Sequence, residues 1–225
     1  MMTDPVRILL VDDQQLIRLG FGLVLGAEDD LDVVGEASNG AEAIDLAASL
    51  RPDVILMDVR MPGLDGIEAT RRIVDANPDS RIIILTTFDL DEYAFGALRA
   101  GASGFLLKDA LPNELTSAIR AVHAGDAAVS TRITKRMLEL FATALPGTPT
   151  AAEDGSAAEL AELTPREHDI LVAMAEGLSN AEIAAHFVLS ESTVKTHVGR
   201  VLMKLQLRDR VQAVIFAYKH GLVRP

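Results

Sequence analysis

Five polar residues stand where apolar runs end. Asp12 and Asp13 follow Val6-Arg7-Ile8-Leu9-Leu10-Val11, and Asp58 follows Val54-Ile55-Leu56-Met57. Thr86 follows Arg81-Ile82-Ile83-Ile84-Leu85, and Lys108 follows Gly104-Phe105-Leu106-Leu107. Apolar runs of this kind, without alternation, read as strands covered on both faces. In an open parallel sheet, ligands sit just beyond the carboxyl ends of the strands, so these five side chains can meet at one edge. Singly, each has a plainer reading. Asp12 or Asp13 could cap a helix starting near Gln14, Thr86 could be an ordinary strand residue, and Lys108 a solvated turn lysine. Together they describe a chemistry. Three carboxylates within about 4 Å repel by about 4 kcal/mol per pair at an effective dielectric of about 20, so such a cluster calls for a cation. All-oxygen ligation without His or Cys suits Mg2+, which keeps several waters and accepts phosphate oxygens. A carboxylate can attack phosphorus to give an aspartyl phosphate. A metal ion and an ammonium group then neutralise the transferring phosphoryl group, and a hydroxyl such as Thr86 can hydrogen-bond it.

The elements that must position these residues are visible as periodicity. Strands are predicted at 6–11, 31–35, 53–58, 81–86 and 104–107, and helices at 14–27, 40–50, 67–77, 92–100 and 115–124. Strand and helix alternate five times, which predicts an α/β unit with a parallel sheet and helices on both faces. Residues 130–141 read as one more amphipathic helix. Residues 142–158, rich in Ala, Pro, Gly and Thr, read as a flexible linker. Beyond them, Leu163-Thr164-Pro165-Arg166-Glu167 carries a helix start: Thr as cap, Pro at the first position, Glu three after the cap. Helices follow to Ala175, at 181–187, at 191–205 and at 208–220. The short turn Val188-Leu189-Ser190 between two of them fits a helix-turn-helix. The domains are therefore expected at 1–127, 128–159 (linker helix and flexible linker) and 160–225.

Composition bounds the function. The chain has 225 residues, 49% of them apolar, with no Trp and no Cys. The core must be aliphatic, and disulfides and thiolate metal sites are excluded. There is no apolar stretch of membrane-spanning length, and the N-terminus lacks a basic region followed by an apolar one. Both argue for the cytoplasm and against a membrane partner. Gly20 to Gly26 misses the spacing of a dinucleotide fingerprint, and no phosphate-loop motif occurs. The net charge of -12 is unevenly spread. From Leu163 onward the chain carries eight bases and six acids, against thirteen and twenty-seven in the remainder. On the predicted third C-terminal helix, Thr193, Lys195, Thr196, Gly199 and Arg200 fall away from the apolar stripe of Val194, Val198 and Val201. That small, polar, basic face suits entry into a major groove.

Two sets of motifs resemble known families. Asp12-Asp13, Asp58 followed by Met61-Pro62-Gly63, Thr86 and Lys108 resemble the receiver domain of two-component response regulators over about residues 5–125. The runs Leu163-Thr164-Pro165-Arg166-Glu167, Gly177-Leu178-Ser179-Asn180-Ala181-Glu182-Ile183-Ala184 and Ser192-Thr193-Val194-Lys195-Thr196-His197-Val198 resemble the LuxR-type DNA-binding domain. Joined, they resemble the NarL/FixJ class. The resemblance implies a flavodoxin-like (βα)5 receiver with a five-stranded parallel sheet, plus an all-α four-helix domain. It implies Asp58 as phosphoacceptor and Mg2+ held by Asp12, Asp13, Asp58 and the backbone carbonyl of Arg60. It implies Thr86 and Lys108 as phosphoryl-binding and Phe105 as the aromatic switch residue. Many family members have Tyr there; with Phe the role is packing. Arg60 and Phe88 flank the site, and bulk at Phe88 is expected to slow hydrolysis of the phosphoryl group. The resemblance implies DNA contacts from Ser192, Thr193, Lys195, Thr196, His197, Arg200 and Lys204. Gly199 stands where some relatives carry Lys, so a DNA sequence preference does not transfer simply.

The implied function is transcriptional regulation, not enzymatic turnover. The partners would be a sensor histidine kinase, double-stranded promoter DNA and, on phosphorylation, a second copy of the chain. A haloacid-dehalogenase-type phosphohydrolase would need a second Asp two residues after its nucleophile, and that position is Arg60. A receiver that binds partners without phosphate is disfavoured by the intact acid cluster and Lys108.

Overall fold

The computed structural model describes residues 4–86, 96–97, 99–125 and 160–223. The chain divides into two compact units, Met1–Val129 and Ser130–Pro225. Phe88, most of the helix expected at 92–100, and all of the linker helix and linker expected at 128–159 lie outside the described residues.

In the first unit, β1 (Val6–Val11), β2 (Leu31–Ala37), β3 (Val54–Asp58), β4 (Arg81–Thr86) and β5 (Gly104–Leu107) form one sheet in the order β2-β1-β3-β4-β5. Every pairing is parallel. The helices described are α1 (Gln15–Leu25), α2 (Gly40–Leu50), α3 (Gly66–Ala76) and α4 (Pro112–His123). Val54, Ile55, Leu56 and Met57 of central β3 have no exposed surface. Burying such side chains is worth about 1.5–3 kcal/mol each, so β3 anchors the sheet. The pleat divides the apolar residues between two faces. Ile8, Leu10, Val54, Leu56, Ile83 and Leu85 form one core with Leu25 of α1 and with Leu115, Ile119 and Val122 of α4. Leu9, Val11, Ile55, Met57, Ile82 and Ile84 are equally buried and alternate with these, toward the face covered by α2 and α3. The strand order reverses between β1 and β3, the position where open sheets of this kind bind ligands.

Local chemistry sets the boundaries. β2 runs to Ala37, two residues beyond the expected 31–35. Its pairing with β1 continues past a register shift at Ile8/Leu9, although Glu36 interrupts the apolar run. α4 begins at Pro112, earlier than the expected 115. There the Glu114 carboxylate accepts the Leu111 N–H at 2.9 Å, and Pro is pre-set for a first turn. α3 starts hard against the end of β3. Gly66 N–H donates to the Val59 carbonyl at 2.9 Å, and a Cβ at Gly66 would lie 1.9 Å from the Asp58 carbonyl oxygen.

The second unit contains α5 (Pro165–Ala175), α6 (Asn180–Phe187), α7 (Glu191–Lys204) and α8 (Arg210–Lys219). Ile170, Leu171, Met174, Ile183, Val194, Val201 and Phe216 share its core. The expected cap of α5 is present. Thr164 Oγ1 accepts the Glu167 N–H at 3.3 Å, and Glu167 Oε2 accepts the Thr164 N–H at 2.9 Å. Three residues separate α6 from α7. Val188 closes α6 in the left-handed region at φ 56, uncommon for a β-branched residue, and Ser190 caps α7. Arg210, at the start of α8, donates to Asn180 Oδ1 at 2.9 Å and to the Leu178 carbonyl, fixing the turn before α6. Among the described residues, no helix is long and apolar enough to cross a membrane.

Two stability predictions follow from these contacts. Gly66→Ala forces a Cβ into the Asp58 main chain and should cost about 1–3 kcal/mol or more in urea denaturation; wild-type stability would mean that α3 can shift freely. Glu167 is buried, and its bond from Lys204, then that from the Thr164 N–H, hold its carboxyl down to about 2. A carboxyl depressed in the folded state stabilises above its unfolded pKa of 4.5, and that contribution is lost as pH falls from there toward 2. Glu167→Gln should therefore flatten the dependence of stability on pH across that window, read from melting curves at stepped pH.

Candidate metal centre and nucleic-acid interface

The ends of β1 and β3 and the turn after β5 converge. One carboxylate oxygen from each of Asp12, Asp13 and Asp58 lies within 4.8 Å of the others. Asp12 and Asp58 are buried, 1% and 4% exposed, while Asp13 faces solvent. Lys108 Nζ bridges them, 2.7 Å from Asp12 Oδ2 and 2.9 Å from Asp58 Oδ2. Lys108 is placed by the sheet: its N–H donates to the Thr86 carbonyl at 2.9 Å, one step beyond the Thr86–Leu107 pair. Asp58 Oδ1 accepts the Arg60 N–H at 3.3 Å. Asp12 also fills the plainer role. Its Oδ1 accepts the Gln14 N–H at 2.9 Å just ahead of α1. Its buried Oδ2 has the charge contact with Lys108 but no directed hydrogen bond.

Thr86 is the buried last residue of β4. Phe105 is buried on β5, in register with Ile84. Arg60 is exposed on the loop after β3. The sequence did not single out Arg18. From α1 its Nη1 donates to the Asp12 carbonyl at 2.7 Å, and its Nε donates to Glu36 Oε2 at 3.0 Å. The only sequence signal was a basic residue set among the leucines and glycines of α1.

Burial pushes the Asp58 carboxyl above the ordinary carboxylate range; Lys108 pulls it down, and the Asp12 charge adds to the rise. Burial works against the Lys108 ammonium too, yet its contacts with Asp12 and Asp58 outweigh it and hold it above its usual value. One contact thus leaves both partners raised. At Asp58 burial outweighs the ammonium, and at Lys108 the two carboxylates outweigh burial; with three acids beside one base, negative charge is in excess. The excess equals the charge of one divalent cation. The donors are all oxygen, one buried acceptor lacks a hydrogen bond, and the Asp13 side is open to water. These residues fit a hard divalent ion.

In the second unit, α7 buries Val194, Val198 and Val201 and exposes Ser192, Lys195, Thr196, Gly199 and Arg200. Thr193 and His197 are half-buried. The hydroxyls of Ser192 and Thr193 lie 2.9 and 2.8 Å from Ser190 Oγ, and Thr196 Oγ1 donates to the Ser192 carbonyl at 2.9 Å. His197 Nδ1 is buried without a hydrogen-bond partner. A Cβ at Gly199 would meet nothing within 4 Å, so that position is open for close approach. Lys204, the last of the expected DNA contacts, has polar partners within the unit. Its Nζ lies 2.6 Å from Glu167 Oε2 and 3.1 Å from the Glu162 carbonyl. The ammonium ties the end of α7 to the start of α5, with the Lys204 side chain 28% exposed.

Residues 8–120 match the response regulator receiver domain, and residues 161–217 match the bacterial regulatory proteins of the luxR family. The chain is 48% identical over 226 residues to the uncharacterized transcriptional regulatory protein YxjL of Bacillus subtilis (strain 168), covering all of both chains. It is 39% identical to the transcriptional regulatory protein LiaR of the same organism, covering 97% of this chain and 99% of LiaR. Among solved structures, it resembles the response regulator ChrA of a heme-sensing two-component system: 32% identity, TM-score 0.53, covering 98% of this chain and 100% of that one. A LuxR-family response regulator from Aurantimonas sp. SI85-9A1 matches at 38% identity and TM-score 0.57, covering 60% of this chain and 97% of that one. With the receiver fold, the acid cluster and the helix-turn-helix all in place, the chain belongs to the DNA-binding two-component response regulators of the NarL/FixJ class.

Proposed function

We propose that this regulator is switched by phosphoryl transfer from a sensor histidine kinase to Asp58, and that the phosphorylated form reads promoter DNA through α7. The observation that carries the reading is the Lys108 ammonium, shared between Asp12 and Asp58 with Asp13 alongside. Mg2+ would be held by Asp12, Asp13, Asp58 and the Arg60 carbonyl, and when bound it supplies charge neutralisation to the phosphoryl oxygens. An oxygen of the Asp58 carboxylate forms a bond to phosphorus as the phosphorus–nitrogen bond to the kinase histidine breaks. The imidazole leaves with that electron pair. The site is buried on the Asp58 side, so the carboxylate enters the reaction poorly solvated and held by two donors, Lys108 and the Arg60 N–H. Lys108 is placed to follow the charge onto a phosphoryl oxygen, and the Thr86 hydroxyl to hydrogen-bond another, with Phe105 packing behind. Phosphorylation biases a two-state receiver. Its output is a homodimer whose two α7 helices read half-sites about one helical turn apart. On α7, Lys195 and Arg200 supply the cationic contacts, with Ser192, Thr193, Thr196 and His197 beside them. The chain acts as a cytoplasmic regulator and not as a turnover enzyme.

Asp58→Ala should abolish labelling by acetyl phosphate in Mg2+, read as loss of the retarded band on a phosphate-affinity gel; a label that persists would move the acceptor elsewhere. Lys195→Ala should weaken DNA binding and reduce the salt slope by about one. Unchanged affinity and slope would take Lys195 out of the interface. Lys204→Ala, by contrast, should lower the melting midpoint and leave the salt slope where it is.

A further inference from the structure

The acid cluster has one weakly held member. Asp12 is fixed from several sides. Its N–H donates to the Ala37 carbonyl at 3.1 Å, its Oδ1 accepts from Gln14, and its Oδ2 faces Lys108. Asp58 is fixed by Lys108 and the Arg60 N–H. Asp13 is exposed, and among the described residues nothing hydrogen-bonds its carboxylate. Its direction therefore depends on its main chain. The peptide that joins Asp12 to Asp13 is planar, and its carbonyl is the group that Arg18 Nη1 holds at 2.7 Å. A bond from a charged donor is stronger than a neutral one. The guanidinium is in turn aimed by Glu36, at the end of β2, and its side chain is only 15% exposed.

We infer that Arg18 is a positioning residue for the divalent cation: by gripping the Asp12–Asp13 peptide it turns Asp13 into the cluster. Glu36 acts one step further out, by steering Arg18. This rests on the phosphoryl-transfer reading above, since that reading gives the cation its use. It assigns α1 a part in the site although α1 contributes no ligand. A planar fork that reaches a carbonyl and a carboxylate together explains why the residue is Arg. A Lys at the same place could reach one of the two but not hold both in a fixed relation.

The test is a calorimetric Mg2+ titration of the unphosphorylated full-length chain, run beside the Mg2+ dependence of acetyl phosphate labelling. Residues that orient metal ligands typically change metal affinity 10–100-fold when removed. Arg18→Ala should raise the Mg2+ half-saturation by about tenfold or more, while labelling at saturating Mg2+ returns toward wild type. Arg18→Lys should recover part of the loss, and Glu36→Gln should give a smaller shift in the same direction. These two keep the test alive should Arg18→Ala not fold. Arg120→Ala is the control, because its ion pairs with Glu28 and Asp30 lie at the opposite end of the sheet. It should leave half-saturation unchanged. A purely structural Arg18 would lower the melting midpoint with no shift in half-saturation, and that result overturns the inference. A wild-type chain that neither binds Mg2+ nor accepts phosphate would instead overturn the phosphoryl-transfer reading.

Discussion

Two buried carboxylates share one ammonium at the edge of a buried sheet, with a third carboxylate alongside, and the first unit is built to hold that imbalance in place. Left to themselves, Asp12, Asp13 and Asp58 would separate. They cannot, because each follows a strand or turn whose position is decided by other forces. β1 and β3 are pinned by aliphatic side chains with no exposed surface, and Lys108 is pinned by its main-chain bond to Thr86. The apolar core therefore does electrostatic work. It keeps Asp12, Asp58 and Lys108 at fixed distances in a buried setting, while Asp13 stays exposed to solvent. Under the proposed reading, a site held in this way favours a divalent cation, and adding a phosphoryl group would shift a balance that is already tight.

The same constraint explains details that look unrelated. α3 must start immediately after the loop that follows Asp58, which leaves room only for a hydrogen at Gly66; a Cβ there would meet the Asp58 carbonyl. The reason is space, not backbone freedom. The left-handed turn that precedes α3 is supplied separately by Gly63 at φ 81. Arg18 belongs to the same set. It links the outer surface of α1 and the end of β2 to the peptide between the two acids at the end of β1.

Much of this was legible in the sequence because strand ends are legible. Unbroken apolar runs give the strands, and the polar residue that ends each run is the one presented at the edge. Asp12, Asp13, Asp58 and Lys108 are brought together as that logic expects. What was not legible depends on reach across space. Lys204 reads as one more base on a basic helix, and only the fold shows that its ammonium ends on Glu167. Glu167 itself was legible as a capping residue, but a cap occupies only part of a carboxylate, and its remaining capacity is invisible in a local motif. Arg18 was hidden for the same reason. Its partners are a main-chain carbonyl and an acid on another strand, and neither leaves a mark on the spacing of α1. The end of β2 was missed because Glu36 interrupts the apolar run although backbone pairing with β1 continues through it.

The Lys204 ammonium is paired inside the second unit, with Glu167. The chain is strongly acidic, and only the C-terminal stretch carries a small excess of base. With Lys204 paired internally, α7 offers Lys195 and Arg200 as its exposed cations. Affinity for duplex DNA scales with the number of phosphates neutralised, at a salt slope of about 0.9 per contact. A single copy with so small an excess of base gains little from this non-specific term. In the proposed reading, selective binding comes from contacts to bases and from joining two copies. Under the proposed switch, pairing doubles the phosphate contacts and lets the second α7 bind from an already tethered position. On that reading, a weakly cationic reading head is a reason for the regulator to depend on dimerisation.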